Sequence, residues 1–508
     1  MALRSPLPAL AMALGLAVVA PSSSAQASTD APIKKRSLGA LQFEPCSLAA
    51  DGVPGAVEAQ CTTLEVLENR ADPGSRKISL ALAWIPSADD AEPDPIFMIA
   101  GGPGQSAKQS YPLLHAAFRD LRRSRNVLLL DARGTGESHP LVCRNEQGEA
   151  AISEGDGSET TIDMEVARDF AKRCAEKLGA DTDLRFYGTS EHIDDIEAVR
   201  VAIAAPTINL IGISYGTRVA QQYAARYPTT TRAVVLDSVA PNSLILGNEH
   251  AANLQTALEA QFARCRDIKA CAEQMGDPKA QLAEVGEVLR SGTLAAVRYR
   301  DSTSGEWREE TPTFAHLAIL LRMYAYSPEA AATLPYLLAE AANGRYEAML
   351  AQASSLGRSL TEQIYHGMQL SVMCTEDADE FVAREEDRGS VMGTEFIEFA
   401  QAQCSVWPRG TRDPAFRQAL AGDLPVLLIS GEFDPVTPPR YADEVAKSLP
   451  NSRALVLPGQ GHSVIGIGCM PKLFAQFIET RDAKKLDAKC LQRLQPLPPF
   501  AGAYGWEP

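Results

Sequence analysis

The sequence predicts an α/β protein: a mostly parallel sheet flanked by helices, interrupted by a large, mainly helical insertion. Three observations predict it. Short apolar runs at Pro95–Ile99, Val127–Leu130, Ala233–Leu236 and the run beginning at Ile208 alternate with helix-compatible segments. Continuous apolar runs of this length suit strands buried on both faces, as in a parallel sheet. From Pro241 to about Arg417 the strand pattern stops, and Ala- and Leu-rich stretches with helical spacing replace it, as at Leu317, Leu320, Leu321 and Tyr324.

Taken in order, residues 1–27 read as a secretion signal. Arg4 precedes an apolar run from Ala9 to Ala20, and Ala25-Gln-Ala27 is a small-x-small cleavage site. The apolar run is too short to span a bilayer comfortably, so the expected destination is periplasmic or secreted, with no membrane insertion. Residues 28–240 form the first part of the sheet domain. Leu64 to Pro86 supplies an edge strand or two, and Ile193 to Ile203 a helix before the strand at Ile208. Residues 241–417 form the helical cap, apart from a hairpin expected at Ala296–Trp307 around Asp301-Ser-Thr-Ser-Gly305. Residues 418–508 complete the sheet domain with strands at Pro425–Ile429 and Arg453–Leu457, a helix at Pro471–Thr480 and a proline-rich tail.

Composition narrows the class. The chain has 508 residues, 45% hydrophobic and 22% charged, as expected of a large globular protein rather than a disordered one. Its formal charge is −16, and removing residues 1–27, whose one charged side chain is Arg4, takes this to −17. Such a balance argues against nucleic acid or an anionic membrane surface as partner. Ten cysteines with no Cys-x-x-Cys pair, in an exported chain, point to disulfides rather than metal. Neighbours paired in order give Cys46–Cys61, Cys143–Cys174, Cys265–Cys271, Cys374–Cys404 and Cys469–Cys490. Gly101-Gly-Pro-Gly104 and Gly134-Thr-Gly136 lack the rest of a nucleotide fingerprint, so no cofactor is called for.

The chemistry concentrates at Gly212-Ile-Ser-Tyr-Gly216, where strand gives way to helix at one serine. That is the geometry of a nucleophile elbow, in which a sharp turn lifts the Ser214 hydroxyl clear of the sheet. A serine hydroxyl needs a base, and the base needs a carboxylate to orient it. Of seven histidines, His462 alone sits in a loop directly after a late strand, in Pro458-Gly-Gln-Gly-His462. Asp434, in Gly431-Glu-Phe-Asp434, follows the preceding strand and falls between serine and histidine in chain order. Asp237, also at a strand end, is the rival acid, and Asp131 reads as a turn residue. The developing oxyanion needs preorganised N–H donors, each worth roughly 3 kcal/mol. The backbone N–H groups of Tyr215 and Gly102 are the candidates.

Together, Gly101-Gly-Pro-Gly104, Asp131-Ala-Arg-Gly-Thr-Gly-Glu-Ser138, Gly212-Ile-Ser-Tyr-Gly-Thr217, Val235-Leu-Asp237 and Asp434-Pro-Val-Thr-Pro438 resemble the exported tripeptidyl aminopeptidase and prolyl aminopeptidase branch of the α/β-hydrolases. The resemblance spans nearly the whole mature chain, including the family's C-terminal region from near Cys374. It implies the α/β-hydrolase fold and a serine exopeptidase that releases short N-terminal pieces from peptide substrates, with a carboxylesterase or other acyl hydrolase as the alternative. Ala100 and Tyr215 stand where prolyl members carry histidine and tryptophan, which argues against strict proline specificity. An exopeptidase must also pair the free amine with a carboxylate, because a buried ammonium without one is costly. Glu376 and Asp377, in the acidic cluster after Cys374, are the expected amine contacts.

Overall fold

The structure, a computed structural model, describes residues 35–50, 54–153 and 163–506, so the expected signal at 1–27 lies outside the described residues. Its centre is a ten-stranded sheet in the order β1-β2-β3-β4-β6-β5-β7-β8-β11-β12. The strands are β1 (Arg36–Leu38), β2 (Leu41–Leu48), β3 (Val57–Leu67), β4 (Lys77–Ile85), β5 (Ile96–Ile99) and β6 (Val127–Leu130), followed by β7 (Ile208–Ile213), β8 (Thr231–Asp237), β11 (Val426–Gly431) and β12 (Ser452–Leu457). The first four pair antiparallel, as β4 does with β6, and every pairing from β6 to β12 is parallel. A separate hairpin joins β9 (Val297–Arg300) to β10 (Trp307–Glu310). Its turn falls at Asp301–Gly305, as the sequence suggests, with the second strand running on to Glu310, and the β1–β2 extension is an addition to the strands read from sequence.

The inner parallel strands β5, β6, β7, β8 and β11 are mostly apolar because both faces are covered. Successive side chains point to opposite faces, so Leu128 and Leu130 join one core and Val127 and Leu129 the other. On the first face pack the helices Thr189–Ala202 and Tyr215–Arg226, through Ile193, Ile196, Val219 and Tyr223. On the second pack Ala107–Leu114 and Met470–Thr480, through Tyr111, Phe474 and Phe477.

Between β8 and β11 the chain runs through helices that include His250–Asp267, Phe314–Tyr324, His366–Glu376 and Glu395–Cys404. Much of this segment has its own core, in which Leu254, Phe262, Leu289, Leu317, Leu321 and Leu350 are buried together. Five disulfides, in the in-order pairing, join Cys46–Cys61, Cys143–Cys174, Cys265–Cys271, Cys374–Cys404 and Cys469–Cys490. Among the described residues no helix is long and apolar enough to cross a membrane.

Candidate active site

The turn after β7 holds Ser214 at φ 55°, ψ −123°, a conformation that costs a non-glycine residue about 1–3 kcal/mol and persists only when its surroundings impose it. They do. Ser214 N–H donates to the Asp237 carbonyl at the end of β8 (2.8 Å), and the Ser214 carbonyl accepts from the Thr217 N–H (2.9 Å) and hydroxyl (2.6 Å). The flanking glycines allow the fit. A Cβ on Gly212 would stand 2.4 Å from the Gly216 carbonyl oxygen, and one on Gly216 would stand 2.4 Å from that of Ile99.

The loop after β12 carries His462, whose Nδ1–H donates to the Asp434 carboxylate at 2.9 and 3.0 Å. Asp434, 2% exposed in the loop after β11, is itself fixed. Its Oδ1 accepts from Val436 N–H (2.9 Å) and Thr437 N–H (2.8 Å), and its Oδ2 from the Thr437 hydroxyl (2.9 Å). Burial lowers the His462 pKa, but the charge of Asp434, its hydrogen bond and the charge of Asp237 outweigh this. The imidazole therefore titrates above its ordinary value. Tyr326 supports the ring from the helical segment. Its carbonyl accepts from His462 N–H (2.8 Å), and its ring stands edge-on at 5.0 Å.

Asp237, the rival acid, does a different job. Its carboxylate accepts from Val464 N–H (2.9 and 3.0 Å) and Ile465 N–H (2.9 Å), so it builds the turn after His462 instead of orienting the ring. Burial pushes its pKa up to about 6, against the lowering effect of those N–H donors and of His462. Because the Asp237 carbonyl also holds Ser214, this one residue ties the serine turn to the histidine loop.

Asp131 is a loop fastener, accepting from the Ser106 hydroxyl (2.5 Å), Lys108 N–H (3.0 Å) and Glu137 N–H (3.2 Å). It thereby joins the glycine loop after β5 to the loop after β6. Gly102 lies in that glycine loop at φ 101°, and a Cβ on Gly101 would stand 3.0 Å from the Ser214 Cβ. Gly104 accepts from Tyr365 N–H (2.9 Å). A small cavity beside the turn is lined by Gly101, Gln105, Leu130, His192, Tyr215 and Met368. His192 is 4% exposed there, and its Nδ1 has no hydrogen-bond partner among the described residues.

Glu376 and Asp377 are placed otherwise than expected. Both are buried, at 3% and 0% exposure, where a charge is retained only if paired. Asp377 meets Arg218 (3.1 Å) and Arg417 (2.9 Å). Arg218 belongs to the helix that starts at Tyr215, is fully buried, and also donates to the Leu244 carbonyl. Glu376 accepts from Thr189 N–H (2.6 Å) and from the Thr189 hydroxyl (2.9 Å), which also lies 2.6 Å from the Tyr215 hydroxyl. Burial pushes the Glu376 carboxyl up to about 7, with Arg218 opposing the rise and Asp377 adding to it. The pair thus braces the helix behind the serine and has no free carboxylate for a substrate amine. Sequence reasoning missed Thr189, Arg218 and Tyr326. Only Arg218 carries a local signal, as a charge in the first turn of the helix that begins beside the serine, where burial requires a partner.

A family model described as alpha/beta hydrolase fold matches residues 94–265, and one described as TAP-like protein matches residues 390–490, starting later than Cys374. The chain is 23% identical over 479 residues to serine protease Hip1 of Mycobacterium tuberculosis, covering 89% of this chain and 91% of that one. It is 24% identical over 488 residues to tripeptidyl aminopeptidase of Streptomyces lividans, covering 90% and 88%. Carboxylesterase B of Mycobacterium tuberculosis is 24% identical over 436 residues, covering 80% and 81%. The sheet order, the strand-to-helix turn at Ser214 and these matches agree on a hydrolase of the α/β-hydrolase fold whose C-terminal part matches the TAP-like family.

Proposed function

We propose that this hydrolase is an exported serine peptidase that releases a tripeptide, dipeptide or single residue from peptide N-termini. The observation that carries the reading is the His462–Asp434 hydrogen bond, at 2.9 Å, on the loops after β11 and β12, with Asp237 tying the histidine loop to the strained turn of Ser214. His462 takes the Ser214 proton as the hydroxyl oxygen attacks the scissile carbonyl. The oxyanion that forms is met by the N–H groups of Tyr215 and Gly102. Collapse breaks the C–N bond, the leaving amine takes the proton from His462, and an acyl-enzyme ester remains. Water, deprotonated by the same histidine, then frees Ser214. Asp434 holds the imidazole in the tautomer this needs and stabilises its protonated form.

Residues 241–417 serve as the cap over the strand ends, and the sheet domain comprises 28–240 and 418–508. The similarity to serine protease Hip1 and to tripeptidyl aminopeptidase supports a peptide substrate. Residues 1–27 direct export, and five disulfides suit an oxidising compartment. The similarity to carboxylesterase B favours ester hydrolysis as the second reading. A panel of aminoacyl, dipeptidyl and tripeptidyl anilides, each free and N-acetylated, beside short acyl esters, separates the two. The peptidase reading expects turnover of free-amine anilides, loss on acetylation, and a drop of several orders of magnitude in folded Ser214→Ala. Equal turnover of free and acetylated peptides excludes an aminopeptidase, and retained activity in Ser214→Ala excludes the whole mechanism.

A further inference from the structure

Two groups of side chains from the helical segment flank the candidate active site. Tyr365 and Met368 lie against the glycine loops, Tyr365 through Gly104 and Met368 in the cavity beside Tyr215. On the histidine side stand Tyr326, Arg322, Phe396 and His250. Tyr326 packs on the His462 ring at 5.0 Å. Arg322, four residues earlier at the end of Phe314–Tyr324, places its guanidinium 4.8 Å from the centre of the Phe396 ring, and His250 stacks on that ring at 5.5 Å. The helix that begins at His250 is tied to the loop of Asp434, because the Asn253 amide donates to the Val436 carbonyl (2.8 Å).

Within this group Arg322 is half-buried, and among the described residues it forms no ion pair. Its surroundings are two aromatic rings and a histidine. The charge of Arg322 is felt at both His250 and Tyr326, and Asp434, the carboxylate acting on the same two residues, is already engaged by His462, Val436 and Thr437. One contact of the Arg322 guanidinium goes to the Tyr326 side chain, and its other face lies on the Phe396 ring, which leaves donors of a planar fork that matches a carboxylate.

We propose that Arg322 binds a carboxylate on the leaving fragment of the substrate. The side of the reaction follows from His462, which hands its proton to the leaving group, so groups packed around its ring face that fragment. The proposal rests on the acyl-transfer reading above and narrows its substrates to those with an anionic leaving portion. In a peptide the carboxylate is the C-terminus of a short substrate or an acidic side chain just past the scissile bond.

The test compares kcat/KM for matched substrates within each protein. One short peptide is made with a free C-terminus, as its C-terminal amide, and as an amide with Glu after the scissile bond. A charge-assisted bidentate contact predicts a preference of roughly ten- to hundredfold for the anionic form. In Arg322→Gln that ratio falls to about one, and in Arg322→Lys, which keeps charge without the fork, it is intermediate. The terminus is the source if the free acid alone is favoured, and the side chain is the source if the Glu amide is. Carboxyphenyl and carbamoylphenyl esters of one acyl group repeat the comparison without a peptide bond, so a failed peptidase reading is distinguishable from a failed Arg322 assignment. No preference in the unmodified enzyme, in either series, overturns the proposal. So does a preference that survives unchanged in Arg322→Gln, and the wild-type ratio decides even if that variant does not fold.

Discussion

Two carboxylates stand at neighbouring strand ends, and exchanging each for its amide separates their tasks. In Asp434→Asn the side-chain oxygen continues to accept from Val436 and Thr437 N–H, at 2.9 and 2.8 Å in the parent, which turns the amide nitrogen toward His462 Nδ1. The imidazole proton is then forced to Nε2, where the base should be open. The expected loss is about 10⁴ in kcat, or roughly 5–6 kcal/mol of barrier, with the fold retained. The pH profile moves as well. With the charge of Asp434 gone, burial, the largest influence on His462, lowers its pKa. The acid limb of kcat/KM, which lies above the ordinary histidine value in the parent, should shift to lower pH. In Asp237→Asn an N–H₂ group is set against the N–H donors of Val464 or Ile465, at 2.9–3.0 Å in the parent, which costs about 1–3 kcal/mol of stability. Its rate should stay far above that of Asp434→Asn. Steady-state kinetics across pH and denaturant titration read both effects. Collapse of activity in a stable Asp237→Asn protein, with Asp434→Asn active, would refute the assignment.

Glu376→Gln tests the brace behind the serine. Glu376 has a folded pKa of about 7 against 4.5 unfolded, so its contribution to stability is full below about 4.5 and lost as pH rises through about 7. The span is roughly 3 kcal/mol, and Glu376→Gln should flatten that part of the stability–pH curve, which an unchanged curve would contradict. Replacing Cys469 and Cys490 with serine opens a loop of sequence separation 21 and should cost about 3 kcal/mol, read as a lower Tm. Gly216→Ala drives a Cβ to 2.4 Å from the Ile99 carbonyl, and the displaced backbone should cost about 1–3 kcal/mol in denaturant titration and lower kcat by disturbing the Ser214 turn.

What the sequence determined is what local pattern governs. Val127–Leu130 and the strands at Ile208 and Pro425 are legible because a strand covered on both faces must be largely apolar. The serine turn is legible because only glycine fits at 212 and 216, and the in-order disulfides because their partners are close in the chain. β2 escaped notice because its solvent-facing positions are polar and its pattern is interrupted by Pro45. The tertiary structure decided everything that joins distant segments. Asp237 and Asp434 look alike in sequence, each following a strand, and only the packing of β8 beside β11 sends one carboxylate to backbone N–H groups and the other to His462. Asp377 and Arg218 lie 159 residues apart, and neither shows in its own neighbourhood that the other will neutralise it. A buried charge must find a partner, but which one it finds is settled by how the helical segment folds back over the sheet.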